Sequence, residues 1–346
     1  MSLLSGVGDF FGLDISSAAI RAVQLKGRGA TKTLLRYGSV EVDTQTATSD
    51  SPTDQQRLAA TIKAFLTEVG ISTKNVVVGI PSSRVFTTIV DIDKLSPKEL
   101  SKTIDYQAES FIPTQLADSK FDWAVLGDSA QDPNKLEVLL SSVTNSYIEA
   151  RLDMLEVIGL NVVAFEPDPL AISRALVPPN QTGAQLILDM GAQATDLIIL
   201  LDGTPRLIRS IQVGTKALVK ATSQNLAIDE KQAEQFVFKF GLSQQKLEGQ
   251  VYRALVGTID SMVVEIEKSI KFFTGRYTNS KIEKIIVTGG VSTLPEFPLY
   301  LANKFALNIE IGNAWRNVAY LPDRQNELIA VANHYAVAAG LAERNE

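Results

Sequence analysis

Leu186-Ile187-Leu188-Asp189-Met190-Gly191-Ala192-Gln193-Ala194-Thr195-Asp196 is the stretch that decides the reading of this chain. A run of branched apolar residues delivers a carboxylate, Asp189, to small residues, and a second apolar run, Leu197-Ile198-Ile199-Leu200-Leu201, follows at once. A strand that carries an Asp into such a turn can bring backbone amides and a carboxylate up to a phosphate and its metal. The same shape occurs near the start, as Phe11-Gly12-Leu13-Asp14-Ile15-Ser16-Ser17-Ala18-Ala19-Ile20. In register, Asp14 falls on Asp189, Ser16 on Gly191 and Ser17 on Ala192. Each copy continues into a second strand, a Gly-containing turn and a third strand, with amphipathic helices and another buried strand later. Two similar α/β domains are expected, their carboxylates meeting one phosphate-bound cation.

Composition narrows the chemistry. The chain has 346 residues, enough for two domains with cores of their own. Its net charge of −6 argues against non-specific nucleic-acid binding. With no cysteine and one histidine, His334, neither thiolate nor imidazole chemistry is expected, and carboxylates must do any acid–base work. No run of about 18 apolar residues spans a bilayer. The opening Met1–Asp9 has no basic region typical of a leader. A cytoplasmic protein is expected, reaching a membrane only through partners.

Apolar patterning places strands at 10–15, 20–25, 33–42 and 75–80, a loop at 44–56, and a helix from Leu58 to near Gly70. Residues 82–160 change texture to β-α-β-β-α and read as an inserted α/β subdomain. Its first helix starts at Ser96, with Glu99 placed for a capping box. The first domain is then 1–81 with 161–180 and 325–346. The second is 181–324, with 229–283 as its helical subdomain. A long helix over 246–275 presents Val251, Leu255, Met262, Ile266, Ile270 and Phe273 as one stripe. Strand residues Lys284–Thr288 lead into Gly289-Gly290, and a single closing helix is expected over 324–342.

With these motifs the chain resembles the actin-like ATPase superfamily, which includes actin, the sugar kinases and FtsA. Phe11 to Val23 is similar to its first phosphate loop, Leu188 to Leu197 to its second, and Ile285 to Pro295 to its adenosine motif. Glu166-Pro167-Asp168-Pro169 matches the connecting segment. Within the superfamily, Tyr106 to Pro113 followed by Phe121 to Leu126 resembles the inserted subdomain of the PilM family of type IV pilus assembly. The ending at Leu341–Glu346, without an amphipathic tail, fits that family better than FtsA. The family usually has Gly where this chain has Ser16, a change that nucleotide binding tolerates better than fast hydrolysis does.

The resemblance implies duplicated RNase H-like domains that bind ATP with Mg²⁺. Asp14 and Asp189 would hold the metal through waters. Backbone around Ser16, Ser17, Gly191 and Ala192 would meet the phosphates, and Gly289 and Gly290 would flank the adenosine. Glu166 or Asp168 would orient an attacking water, although acidic residues there also cap a helix. Glu234 would reach the ribose or simply face solvent. The implied partner is the cytoplasmic N-terminal peptide of PilN, held near the inserted subdomain, with other inner-membrane platform proteins and a homo-oligomer as further partners. Two other readings remain open: a filament-forming division or shape protein like FtsA or MreB, and a sugar kinase of the same superfamily.

Overall fold

The computed structural model describes residues 8–345 apart from 28 and 30. The leaderless reading of Met1–Asp9 therefore lies largely outside the described residues. Two compact units divide the chain: residues 1–171 with 337–346, and residues 172–336. Residues 172–180 and 325–336 thus group with the second unit.

In the first unit, β1 (Phe10–Ile15), β2 (Ala19–Lys26) and β3 (Lys32–Glu41) are followed by α1 (Thr44–Thr48), α2 (Pro52–Val69) and β4 (Asn75–Ile80). The polar tract read as a loop is therefore partly helical. Asp43 caps α1, and the Ser51 hydroxyl accepts from the Asp54 amide to start α2 well before its apolar stripe begins. Leu58, Ile62 and Phe65 of α2 pack on Phe11, Leu13, Ile20 and Val78 of the sheet. The insertion adds β5 (Val85–Asp93), α3 (Pro97–Ala108), β6 (Ser119–Asp128), β7 (Lys135–Thr144) and α4 (Asn145–Val157). Its strands lie in the order β5-β7-β6, all antiparallel. Leu100 and Ile104 of α3 cover Val90, Val138 and Leu140. The expected capping box forms, with Ser96 and Glu99 each satisfying the other's amide. Next come β8 (Asn161–Pro167) and α5 (Asp168–Leu176), within which the chain passes to the second unit.

That unit contains β9 (Ala184–Met190), β10 (Thr195–Leu201), β11 (Thr204–Ile211), α6 (Thr215–Leu226), α7 (Glu230–Phe240), α8 (Gln250–Arg276), β12 (Ile282–Gly289), α9 (Phe297–Phe305), β13 (Asn308–Ile311) and α10 (Gln325–Val331). Asp202 and Gly203, both at positive φ, turn β10 into β11. The predicted stripe of α8 is the core face: Val251, Leu255, Met262, Ile266 and Phe273 are fully buried. The sheet runs β11-β10-β9-β12-β13, and strands β3-β2-β1-β4-β8 of the first unit run in the matching order. In both, the first two pairings are antiparallel and the next two parallel. The duplication inferred from two short motifs thus extends over five strands.

The closing helix is not continuous. A 3₁₀ turn at Ala332–His334 separates α10 from α11 (Ala336–Glu343). The break lets Asn333 leave the helical path for polar partners elsewhere. Helix α11 belongs, from Val337 on, to the first unit. It lies so close to β1 that a Cβ on Gly12 would stand 2.7 Å from the Ala342 nitrogen, and a Cβ on Gly340 would stand 2.5 Å from the Ala171 carbonyl carbon. Buried Lys32 closes its C-terminal end, donating to the Ala342 and Arg344 carbonyls at 3.2 and 2.7 Å.

Candidate functional site

The two acidic turns are the same hairpin. Ile15 pairs with Ile20 and Met190 with Thr195, so each hairpin encloses four residues. In each, the amide of the first enclosed residue donates to the carbonyl of the fourth: Ser16 to Ala19 at 3.0 Å, and Gly191 to Ala194 at 3.0 Å. Ser16 fits this position because its hydroxyl bonds the same Ala19 carbonyl at 2.8 Å. Its amide and hydroxyl are therefore both engaged inside the turn.

Matching backbones carry opposite charge. Asp14 stands across the ladder from Arg21, whereas Asp189 stands across from Asp196. Arg21 donates to the Asp14 carboxylate at 3.3 Å and reaches the Ser16 hydroxyl at 3.5 Å. Burial pushes the Asp14 carboxyl above the usual carboxylate range, and the Arg21 guanidinium pulls in the other direction without cancelling it. Asp189 and Asp196 are only half-buried. Two facing carboxylates are hard oxygen donors suited to a cation that keeps most of its water, such as Mg²⁺. Asp14 fits a metal less well, because a fixed cation already faces it. Arg21 and Asp196 escaped the sequence reading. Their shared place, seven residues after each Asp, was visible, but its meaning depends on hairpin register.

The second hairpin is braced by α6. Thr215 and Lys216 donate their amides to the Gly191 and Ala192 carbonyls at 3.1 and 2.9 Å. Gly214 makes that approach possible, since a Cβ there would lie 2.7 Å from the Gly191 oxygen. Gly289 ends β12 beside the same hairpin at φ +81°, with its missing Cβ 2.8 Å from an Asp189 carboxylate oxygen and 2.5 Å from the Met190 carbonyl. A Cβ on the following Gly290 would meet only open space. Asn333 holds this turn, donating to the Gly289 carbonyl at 3.0 Å and the Ser292 hydroxyl at 2.9 Å, while its carbonyl accepts from buried Thr288 at 2.8 Å. This network explains the broken closing helix, and no local sequence signal marks Asn333. Asp189, Asp196, Gly191, Ala192 and Gly289 are thus brought together in the second unit, whereas Glu234 lies exposed on α7.

In the first unit, Glu166 is buried at the end of β8 and accepts from Arg344 at 3.3 Å. A carboxylate so engaged is a poorer orienter of water than an open one. Asp168 begins α5, where an acidic residue complements the helix dipole, and one of its carboxylate oxygens fills the space beside Gly79. Among the described residues no group of three or more His, Cys, Asp or Glu side chains could hold a metal, and no helix is long and apolar enough to cross a membrane.

Comparison with solved structures places the fold among the actin-like ATPases. The chain matches a chain of the PilM–PilN type IV pilus biogenesis complex with a TM-score of 0.82 and 23% identity, covering 97% of this chain and 98% of that one. It matches the ethanolamine utilization protein EutJ from Carboxydothermus hydrogenoformans at 0.57 and 13%, covering 97% and 89%. MreB5 of Spiroplasma citri, bound to ADP, matches at 0.57 and 15%, covering 96% and 95%. A family model described as type IV pilus assembly protein PilM matches residues 12–346. Nearly the whole sequence satisfies that model, on a fold with the duplicated sheets and acidic hairpins set out above, and the chain belongs to the PilM family of type IV pilus assembly proteins.

Proposed function

We propose that this protein is an ATP–Mg²⁺-binding scaffold on the cytoplasmic face of a type IV pilus inner-membrane platform, hydrolysing ATP slowly. The observation that carries the nucleotide reading is the pair of matched hairpins, one presenting Asp14 with Arg21 and the other Asp189 with Asp196. In this reading Asp189 and Asp196 hold the hydrated Mg²⁺, and Arg21 meets phosphate charge as a resident cation. The Ser17 and Ala192 amides contact the phosphates, while Gly289 and Gly290 lie against the adenosine. When bound, Mg²⁺ neutralises charge on the phosphate oxygens. Glu166 and Asp168 are the carboxylates for water orientation, and the engagement of Glu166 with Arg344 favours Asp168. An ADP-bound relative of the same fold supports the reading.

The partner is the cytoplasmic N-terminal peptide of PilN, supported by family membership and by the PilM–PilN complex among the similar structures. Titration of ATP–Mg²⁺ into wild type and Asp189→Ala tests the nucleotide site. Affinity should fall at least about tenfold, the equivalent of about 1.4 kcal/mol; equal affinities would sink the assignment. Failure of a PilN N-terminal peptide to bind the wild-type protein would remove the partner and leave the nucleotide reading standing.

A further inference from the structure

Two stretches of the second unit carry positive charge alone. From Gly203 to Ile228 there are four basic residues and no acidic one, and from Lys268 to Lys281 there are again four and none. In the whole chain Asp and Glu outnumber Lys and Arg by 39 to 33, so both stretches run against the composition. The nearest carboxylates in sequence, Asp202, Asp229, Glu267 and Glu283, stand just outside them.

The fold sets the two side by side. Edge strand β11 lies against the end of α8, with the Arg209 guanidinium over the Phe272 ring at 5.5 Å, and Arg206 and Arg276 over Tyr277 at 6.0 and 5.8 Å. Lys268, Phe272 and Arg276 recur at four-residue spacing and share one face of α8, with Lys271 beside them and Lys281 just past the helix. Arg209, Lys271 and Lys281 are exposed, and the Phe272 ring is 51% exposed. Lys268 is already held by Glu265 at 2.6 Å. Charges on an edge strand discourage pairing with another strand. Lys271, Arg276 and Lys281 lie on the helix or beyond it, where that explanation does not reach.

We propose that this ridge adsorbs directly to an anionic phospholipid surface, with its basic residues at the headgroups and the Phe272 ring at the boundary with the acyl chains. The proposal rests on the reading of the protein as a scaffold at an inner membrane, and adds a lipid contact of its own to the link through a partner. Lipid phosphates accept from guanidinium and ammonium donors, and each basic residue near an anionic leaflet strengthens binding about fivefold. Stacking on Phe272 and Tyr277 restricts the three arginines beforehand, so less side-chain freedom is lost when they meet phosphate. An aromatic ring half out of water is favoured at the headgroup level. RNA would meet the same charges, but the platform reading brings a leaflet within reach and supplies no RNA.

Co-sedimentation of the full chain with vesicles tests this, one set of phosphatidylcholine alone and the other of phosphatidylcholine and phosphatidylglycerol in equal parts. Wild type should bind the anionic set at least about tenfold more tightly. Raising NaCl enough to shrink the Debye length from about 10 Å to about 3 Å should remove most of that binding. Arg209→Glu and Lys271→Glu should each lower the partition coefficient at least about fivefold, with unchanged circular dichroism and thermal midpoint. Phe272→Ser should lower it as well, while the salt dependence persists. Lys120→Glu makes the same charge change at an exposed site on the insertion and should leave binding within about twofold of wild type. Equal binding to both vesicle sets, binding to neither, or a loss in Lys120→Glu as large as in Lys271→Glu overturns the proposal. Retardation of single-stranded RNA without vesicle binding, lost in Arg209→Glu, would assign the ridge to nucleic acid and also overturn it. The assay contains neither nucleotide nor peptide, so its failure leaves the ATP and PilN tests standing, and their failure leaves a vesicle result standing.

Discussion

Arg21→Met asks the sharpest question of the first hairpin. Asp14 is 4% exposed, and the Arg21 side chain that neutralises it is 18% exposed and bonded through one nitrogen at 3.3 Å. Removing one member of a buried ion pair costs about 3–5 kcal/mol, and single-bonded geometry with some solvent access sets the expectation near the lower end. The carboxyl can escape part of that cost by taking up a proton, at about 1.36 kcal/mol for each pH unit of separation. Burial already holds the folded Asp14 pKa above the ordinary carboxylate value. Folded protein therefore binds more protons than unfolded protein above that pH, and stability falls as pH rises toward the folded pKa, then levels off. Without Arg21 the folded pKa climbs further and the falling window extends to higher pH. Urea unfolding from pH 5 to pH 8, with hydrogen exchange of peptides covering β1 and β2, reads the effect. The variant should lose about 3 kcal/mol at pH 8 and less at pH 5, and Asp14→Asn should recover most of the loss. A small, pH-independent loss, or strict additivity in the double-mutant cycle, would refute the argument.

Other sites make separate predictions. Gly214→Ala places a Cβ 2.7 Å from the Gly191 oxygen, and calorimetry should show ATP–Mg²⁺ affinity reduced at least about tenfold with secondary structure intact. Gly340→Ala forces α11 off α5; despite Ala's better helix propensity, thermal unfolding of the first unit should reveal a net loss of about 1–3 kcal/mol. Asn333→Leu abolishes the donors to Gly289 and Ser292 and should cost about 1–3 kcal/mol in urea unfolding, with weaker nucleotide binding. Glu166→Gln keeps size and removes the charge facing Arg344, so single-turnover hydrolysis should fall less than in Asp168→Asn.

Local patterning was enough for much of this molecule. Apolar runs ending at Asp14 and Asp189, the Ser96–Glu99 box, the Asp202-Gly203 turn and the stripe of α8 all express rules that operate within a few residues. Each was legible because strand alternation, helix periodicity and capping are short-range effects. The duplication could be read from two motifs because the same backbone task demands the same small residues.

Other features depend on residues distant in sequence. Hairpin register makes Arg21 the partner of Asp14 and Asp196 the partner of Asp189, so two motifs read as equivalent have opposite electrostatics. The closing helix breaks because Thr288, Gly289 and Ser292, more than 40 residues earlier, offer Asn333 hydrogen bonds that outweigh another helical turn. Glu166 looked available in sequence and meets Arg344, 178 positions later, only once the chain folds back. Short-range chemistry determined the elements and the hairpins from sequence alone. Long-range pairing, which no local window contains, decided the charge each site residue faces.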